Sequence, residues 1–262
     1  MSEPPLAERA PLPRATAARF VTALREGGSM PGLIEDEAAR LWVVKFRGAG
    51  QGPGALLAEV VCGRLARALG LPMPELTVLT VPPRFGVSDG DPEVNELLAA
   101  SVGENLGMAF LPEALGYDPA ARVPLDAELA ARVVAFDVLV SNVDRTFRNP
   151  NLLWSGGQLW LIDHGAALYW QHGWDGRSGD PAARLPRFGE HVLLPRAGAL
   201  PDAAAWVAAG VTDAALDGAL AAVPDDWLGA VEPTARRAAF AARLARRREH
   251  LVELLAAEAG RA

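Results

Sequence analysis

The sequence predicts an α+β protein of two lobes: an N-terminal lobe that is mainly antiparallel sheet plus one helix, and a C-terminal lobe that is mainly helical and carries a hairpin. Three observations lead there. Strand-like runs of β-branched and aromatic residues mark the first half, as in Leu41-Trp42-Val43-Val44-Lys45-Phe46. Helical spacing of apolar residues takes over after Tyr117. Within that second half, Asn151-Leu152-Leu153-Trp154 and Leu159-Trp160-Leu161-Ile162 flank Ser155-Gly156-Gly157-Gln158, the pattern of a β-hairpin. A chain of 262 residues, 50% of them hydrophobic, can fill one large domain or two small lobes. The expected division is a loose lead-in over 1–15, an N-terminal lobe over 16–115 and a C-terminal lobe over 116–262.

Taken in order, the first fourteen or so residues are rich in proline, alanine and charge and read as a lead-in. Phe20 to Leu24 reads as a short strand, and Gly27-Gly28-Ser29-Met30-Pro31-Gly32 as a glycine-rich turn. After the Leu41 strand, the RGAGQGPG segment is expected to be a mobile connection, although its glycines open a helix and could also form an anion nest. Apolar residues at 56, 57, 60, 61, 65 and 69 predict a one-faced helix over 55–69, stopped by Gly70 and Pro72. Leu76 to Val81 follows as a strand, 82–91 as a loop and Glu93 to Ala100 as a short helix. Asp126 caps a helical pattern that carries Leu129, Val133, Phe136 and Val140 and ends in Ser141-Asn142. Everything after Ala203 reads as helical. The last helix, about Pro233 to Glu258, is dense in arginine, which would suit a nucleic-acid or membrane face. Its apolar stripe and interspersed glutamates point instead to a solvated outer helix.

Composition narrows the function. No apolar run reaches the length of a membrane span and the N-terminus has no secretory pattern, so the expected location is the cytoplasm. The one cysteine, Cys62, allows no internal disulfide and reads as a buried structural thiol. A net charge of −7 argues against broad nucleic-acid binding, but leaves room for a small anion held by a few cations. Of the 25 basic residues only Lys45 is a lysine, which marks a position where a compact ammonium is wanted, chance survival aside.

Residues 142–151, NVDRTFRNPN, hold three of the five asparagines of the chain. Asn and Asp also satisfy turn backbones, so composition alone leaves an ordinary polar turn open. The spacing says more. A carboxylate (Asp144), an amide five residues on (Asn149) and a second carboxylate at the end of a hairpin strand (Asp163) are what phosphoryl transfer requires: one group to receive the acceptor's proton, two to hold magnesium. Asp163 directly follows the apolar strand Leu159 to Ile162, where a charge needs a partner, and Gly165 would let the chain turn away. Lys45 at its strand end can reach phosphates, and Glu59, the one acidic residue between Glu37 and Glu75, sits on or beside the inward face of its helix to hold it. The Gly27-Gly28-Ser29 turn can offer backbone N–H groups to an anion.

The segments VVKF, AEVVCGRLARALGLP, FDVLVSNVDRTFRNPNLLW and LIDHGAAL resemble the HipA-like kinases, a branch of the protein-kinase-like superfamily reminiscent of phosphatidylinositol kinases in this loop. The resemblance spans roughly residues 16 to 195. It implies a two-lobed kinase-like fold using ATP and Mg2+, with Asp144 as catalytic base, Lys45 on the ATP phosphates and Glu59 paired to it. Asn149 and Asp163, with Asn151, would bind magnesium. The nucleotide-binding set becomes Gly27, Gly28, Ser29, Lys45, Asn105 and Met108, and the acceptor is expected to be a protein serine or threonine. His164 stands where many kinases have phenylalanine, and the glycine turn lacks a full GxGxxG. Competing readings are a silent nucleotide-binding pseudokinase, transfer of AMP on the same fold, and a metal-dependent hydrolase using Asp163, His164, His172 and His191.

Overall fold

The computed structural model describes residues 11–24, 30–50, 52–86, 91–121, 123–171 and 180–259. Gly27, Gly28, Ser29 and His172 lie outside them.

Five strands close a barrel in the order β1-β2-β3-β5-β4. They are β1 (Arg14–Ala23), β2 (Gly32–Asp36), β3 (Leu41–Lys45), β4 (Leu76–Val81) and β5 (Gly103–Ala109). All neighbours are antiparallel except β1 and β4, which pair in parallel from Arg14↔Val78 to Thr16↔Thr80. That pairing needs Arg14 and Ala15, so regular structure begins inside the segment expected to be a lead-in.

The alternation of β3 decides where its last residue goes. Trp42 and Val44 are buried in the small core inside the barrel, with Ile34, Leu79 and Val81. A strand turns successive side chains to opposite faces, so Lys45 must leave on the outer face. There it meets α1 (Gly52–Ala68), whose central residues are buried all round: they share a core with Leu76, Val78 and Leu106 of the barrel, and the helix also packs on a helix of the second lobe. Gly63 allows that approach: a Cβ there would lie 2.5 Å from Leu76 Cδ1.

The connection expected to be mobile is tied down at its first two residues. Arg47 N–H donates to Asn105 Oδ1 (2.9 Å) and Gly48 N–H to Ser101 Oγ (3.3 Å). A Cβ on Gly48 would lie 2.8 Å from Ala100 Cβ, at the end of α2 (Pro92–Ala100). The physical reason is Asn105, whose buried amide bridges two turns.

The second lobe begins with β6 (Leu115–Gly116) and α3 (Ala127–Leu139), the latter capped by Asp126 through Glu128 N–H at 2.8 Å. β7 (Leu152–Ser155) and β8 (Gln158–Leu161) form the expected hairpin, with Gly156 and Gly157 at φ 60° and 78°, as a two-residue turn of that hand requires. Four helices follow: α4 (Leu200–Gly210), α5 (Asp213–Ala221), α6 (Pro233–Glu249) and α7 (Leu251–Ala259). The expected single last helix is thus broken at His250. α3 packs on α4 and α7, and α5 packs on α1, so one continuous hydrophobic core runs from the N-terminal lobe into the helical one. Among the described residues no helix is long and apolar enough to cross a membrane.

Candidate active site

β3, α1 and the end of β8 meet at the seam between the lobes. Lys45 Nζ donates to Glu59 Oε1 and, at 2.5 Å, to Asp163 Oδ1. Burial alone would lower the Lys45 ammonium, but the two carboxylates hold it well above its ordinary value. Burial would raise Asp163, while Lys45 and the Gly165 N–H bring it below the usual carboxylate range. Glu59 is fully enclosed; the Asp163 side chain keeps 39% of its surface exposed, open to a ligand.

The turn after β8 is made differently from the expectation. Asp163 itself takes φ 54°, in the left-handed region, and Gly165 does not. Aspartate and asparagine tolerate that conformation best among residues with a side chain. Asn151 does the same on the other strand, at φ 49°. The two ends of the hairpin bend together, with Ile162 N–H donating to Asn151 O at 3.1 Å.

Asp144 sits beside this pair. Asn149 Nδ2 donates to its Oδ2 at 2.7 Å and Asn151 Nδ2 to the same oxygen at 3.2 Å, while Asn151 also reaches Asp163 O at 3.4 Å. The loop between is stiffened by Thr146 N–H on Asp144 O and by Asn149 N–H on Thr146 O. The structure therefore gathers Lys45, Glu59, Asp144, Asn149, Asn151 and Asp163. Met108, half-buried, shares their sheet face: it lies two residues from Leu106, the β5 partner of Lys45. Asn105 stands apart. It is fully buried, and its amide is committed to Arg47 N–H, Ser101 O and Gly103 O.

Beneath the loop is a buried polar network that the sequence reading did not foresee. Arg145 Nε donates to Asp137 Oδ2 at 2.5 Å, and both side chains are fully enclosed. Arg145 Nη1 donates to Asn151 O and, at 3.4 Å, to Ile162 O, so one guanidinium holds both ends of the hairpin. Asn142 Nδ2 and His191 Nε2 complete Asp137, at 2.9 Å and 3.0 Å. Burial would raise the Asp137 carboxyl, yet Arg145 and His191 press it far below the ordinary range. The sequence signal was present: Asp137 is a charge in the middle of an apolar helix, which requires a buried partner. His164 and His191 face Arg145 and Asp137 rather than each other, and among the described residues no three His, Cys, Asp or Glu side chains converge as a metal-holding group.

The family profile described as HipA-like kinase matches residues 18–175 of this chain. The chain belongs to the HipA-like kinase family. All six gathered residues fall inside the matched span. A search of curated proteins found no match. Among solved structures, this HipA-like kinase is similar to the Helicobacter pylori proinflammatory kinase CtkA, at 13% identity and a TM-score of 0.59, over 95% of this chain and 98% of that one. At that identity the likeness shows the fold, a kinase-like one.

Proposed function

We propose that this HipA-like kinase uses ATP with magnesium and transfers the γ-phosphoryl group to a hydroxyl of a protein serine or threonine. The observation that carries this reading is Lys45, an ammonium held between Glu59 of one lobe and Asp163 of the other, beside an Asp144 braced by two asparagines.

The donor set fits magnesium. Asp163 and the amide oxygens of Asn149 and Asn151 are hard oxygen ligands, and each asparagine turns its nitrogen to Asp144, which leaves its oxygen for another partner. When bound, the ion would draw charge from the phosphates and hold them for in-line transfer. Lys45 supplies a fixed positive charge to the phosphates, kept in place by Glu59. Asp144 accepts the proton of the acceptor hydroxyl as its oxygen bonds to the γ-phosphorus and the bond to the β–γ bridging oxygen breaks, releasing ADP. The asparagines occupy Asp144 Oδ2, so Oδ1 is the oxygen left to receive that proton.

The test is incubation with γ-labelled ATP and magnesium, searching for label on the protein itself and in a lysate, with α-labelled ATP in parallel. Transfer from the γ position alone is the expected result. Label arriving from the α position would mean AMP transfer, and tight nucleotide binding with no transfer would mean a silent nucleotide-binding module. Either overturns the proposal.

A further inference from the structure

His164 is fully buried between the two halves of the site, and its two ring nitrogens have unequal surroundings. Nε2 lies 2.9 Å from Arg145 Nη2. A guanidinium only donates, so Nε2 must present its lone pair, and a neutral imidazole then carries its proton on Nδ1. Nδ1 is buried without a hydrogen-bond partner in this structure. Glu59 Oε2 lies 3.9 Å away, while Oε1 of the same carboxylate is engaged by Lys45. A closure of about 1 Å would bring Nδ1 and Oε2 to ordinary hydrogen-bond distance. A buried N–H left unpaired is costly, so the gap has a driving force to close.

We infer that His164 is a positioning residue: its Nδ1–H donates to Glu59 Oε2, fixes the carboxylate that holds Lys45, and couples α1 through Arg145 to the loop bearing Asp144. With that bond formed the path is continuous. Glu59 is joined to His164, His164 to Arg145, and Arg145 to Asp137, Asn151 O and Ile162 O. Without the Nδ1–H donor Glu59 would keep Lys45 and the His164 backbone N–H, but would lose the side-chain link that ties its carboxylate to Arg145. Phenylalanine at 164 would fill the space but could neither accept from Arg145 nor donate to Glu59. The proton placement stands on geometry alone, whereas its effect on Lys45 rests on the phosphotransfer reading given above.

Two measurements separate the parts. In 15N-labelled wild-type protein, imidazole nitrogen shifts, assigned to His164 by their loss in His164→Phe or His164→Asn, should report a neutral ring protonated at Nδ1. A proton on Nε2, or a doubly protonated ring near neutral pH, overturns the inference without reference to activity or to the folding of any variant. Second, His164→Phe should raise the KM for magnesium ATP about tenfold, the size of one hydrogen bond to a charged group. His164→Asn, which places an amide donor near the Nδ1 position, should recover most of that loss. Equal KM values for Phe and wild type, or equal loss in Phe and Asn, refute the positioning role. Absence of magnesium-dependent ATP binding by wild-type protein would instead refute the kinase reading, leaving the NMR result to judge the proton.

Discussion

Lys45 is the one lysine of the chain, and it stands where two carboxylates from different lobes converge. With Trp42 and Val44 filling the barrel, the strand period carries Lys45 out toward α1, and Glu59 is the acidic residue that α1 presents there. An ammonium concentrates its charge at a point, whereas a guanidinium is a planar fork that would not fit between Glu59 and Asp163 in the same way. Lys45→Met should therefore lower turnover by roughly two to three powers of ten, the size expected for loss of one preorganised charge. Lys45→Arg should restore only a small part, and full activity in a steady-state assay of that variant would show that the compact shape is unimportant. Asp163→Ala should abolish turnover with the fold retained, because the residue caps β8 from its end and none of the barrel core rests on it. Wild-type turnover in Asp163→Ala, with a native circular-dichroism spectrum, would remove Asp163 from the site.

At the scale of elements, Asp137 joins α3 to the Asp144 loop and, through Arg145, to the hairpin. Removing one member of a buried ion pair strands the other, so Asp137→Asn or Arg145→Met should cost about 3–5 kcal/mol at neutral pH by urea unfolding. The pH dependence has a definite sign. The Asp137 carboxyl, facing Arg145 and His191, titrates lower folded than unfolded, so the unfolded chain takes up this proton first as the pH falls. Its stabilisation is complete above about pH 4 and is lost as the pH drops through the folded value. The stability gap between wild type and Asp137→Asn should therefore narrow below about pH 4; a gap unchanged at lower pH would mean that the ionised carboxylate is not its source. Strong local patterns made α1, β3, β4, α3 and the β7–β8 hairpin legible in sequence. β5 was not, because Gly103 and Gly107 weaken its strand signal; Gly107 is required by packing, since a Cβ there would lie 2.7 Å from Thr77 Cγ2. The division of the last helix was equally hidden, as the apolar stripe of Phe240, Leu244, Leu251 and Leu255 runs through the break at His250. Among the candidate site residues, the convergence of Asp144, Asn149 and Asn151 could be anticipated from their spacing along one loop. The Arg145 network was legible only in part: Asp137 in its apolar helix signals a buried partner, but which groups meet it depends on how the chain folds in space.

For the whole molecule, the placement of the site at the lobe seam means that a bound nucleotide should stabilise both lobes together. One hydrophobic core already spans them, with α1 packed against α5, so unfolding should be a single transition that ligand shifts upward. At a ligand concentration of about one hundred times Kd the stabilisation is about 2.7 kcal/mol. For a chain of this size that corresponds to a rise in Tm of roughly 5–10 °C. A non-hydrolysable ATP analogue with magnesium should give such a shift in wild-type protein, and the analogue with a chelator should give much less. On the proposed roles, Lys45→Met and Asp163→Ala should each lose most of the shift. Asp144→Asn should behave differently. It keeps the shape and the partners Asn149 and Asn151 but cannot take a proton, so transfer should fall by about two to four powers of ten while the thermal shift is retained. Calorimetry beside a transfer assay measures both quantities. If Asp144→Asn loses the nucleotide-induced shift as fully as Asp163→Ala does, Asp144 supports the nucleotide or its metal rather than serving as the base, and proton acceptance must be assigned to another group.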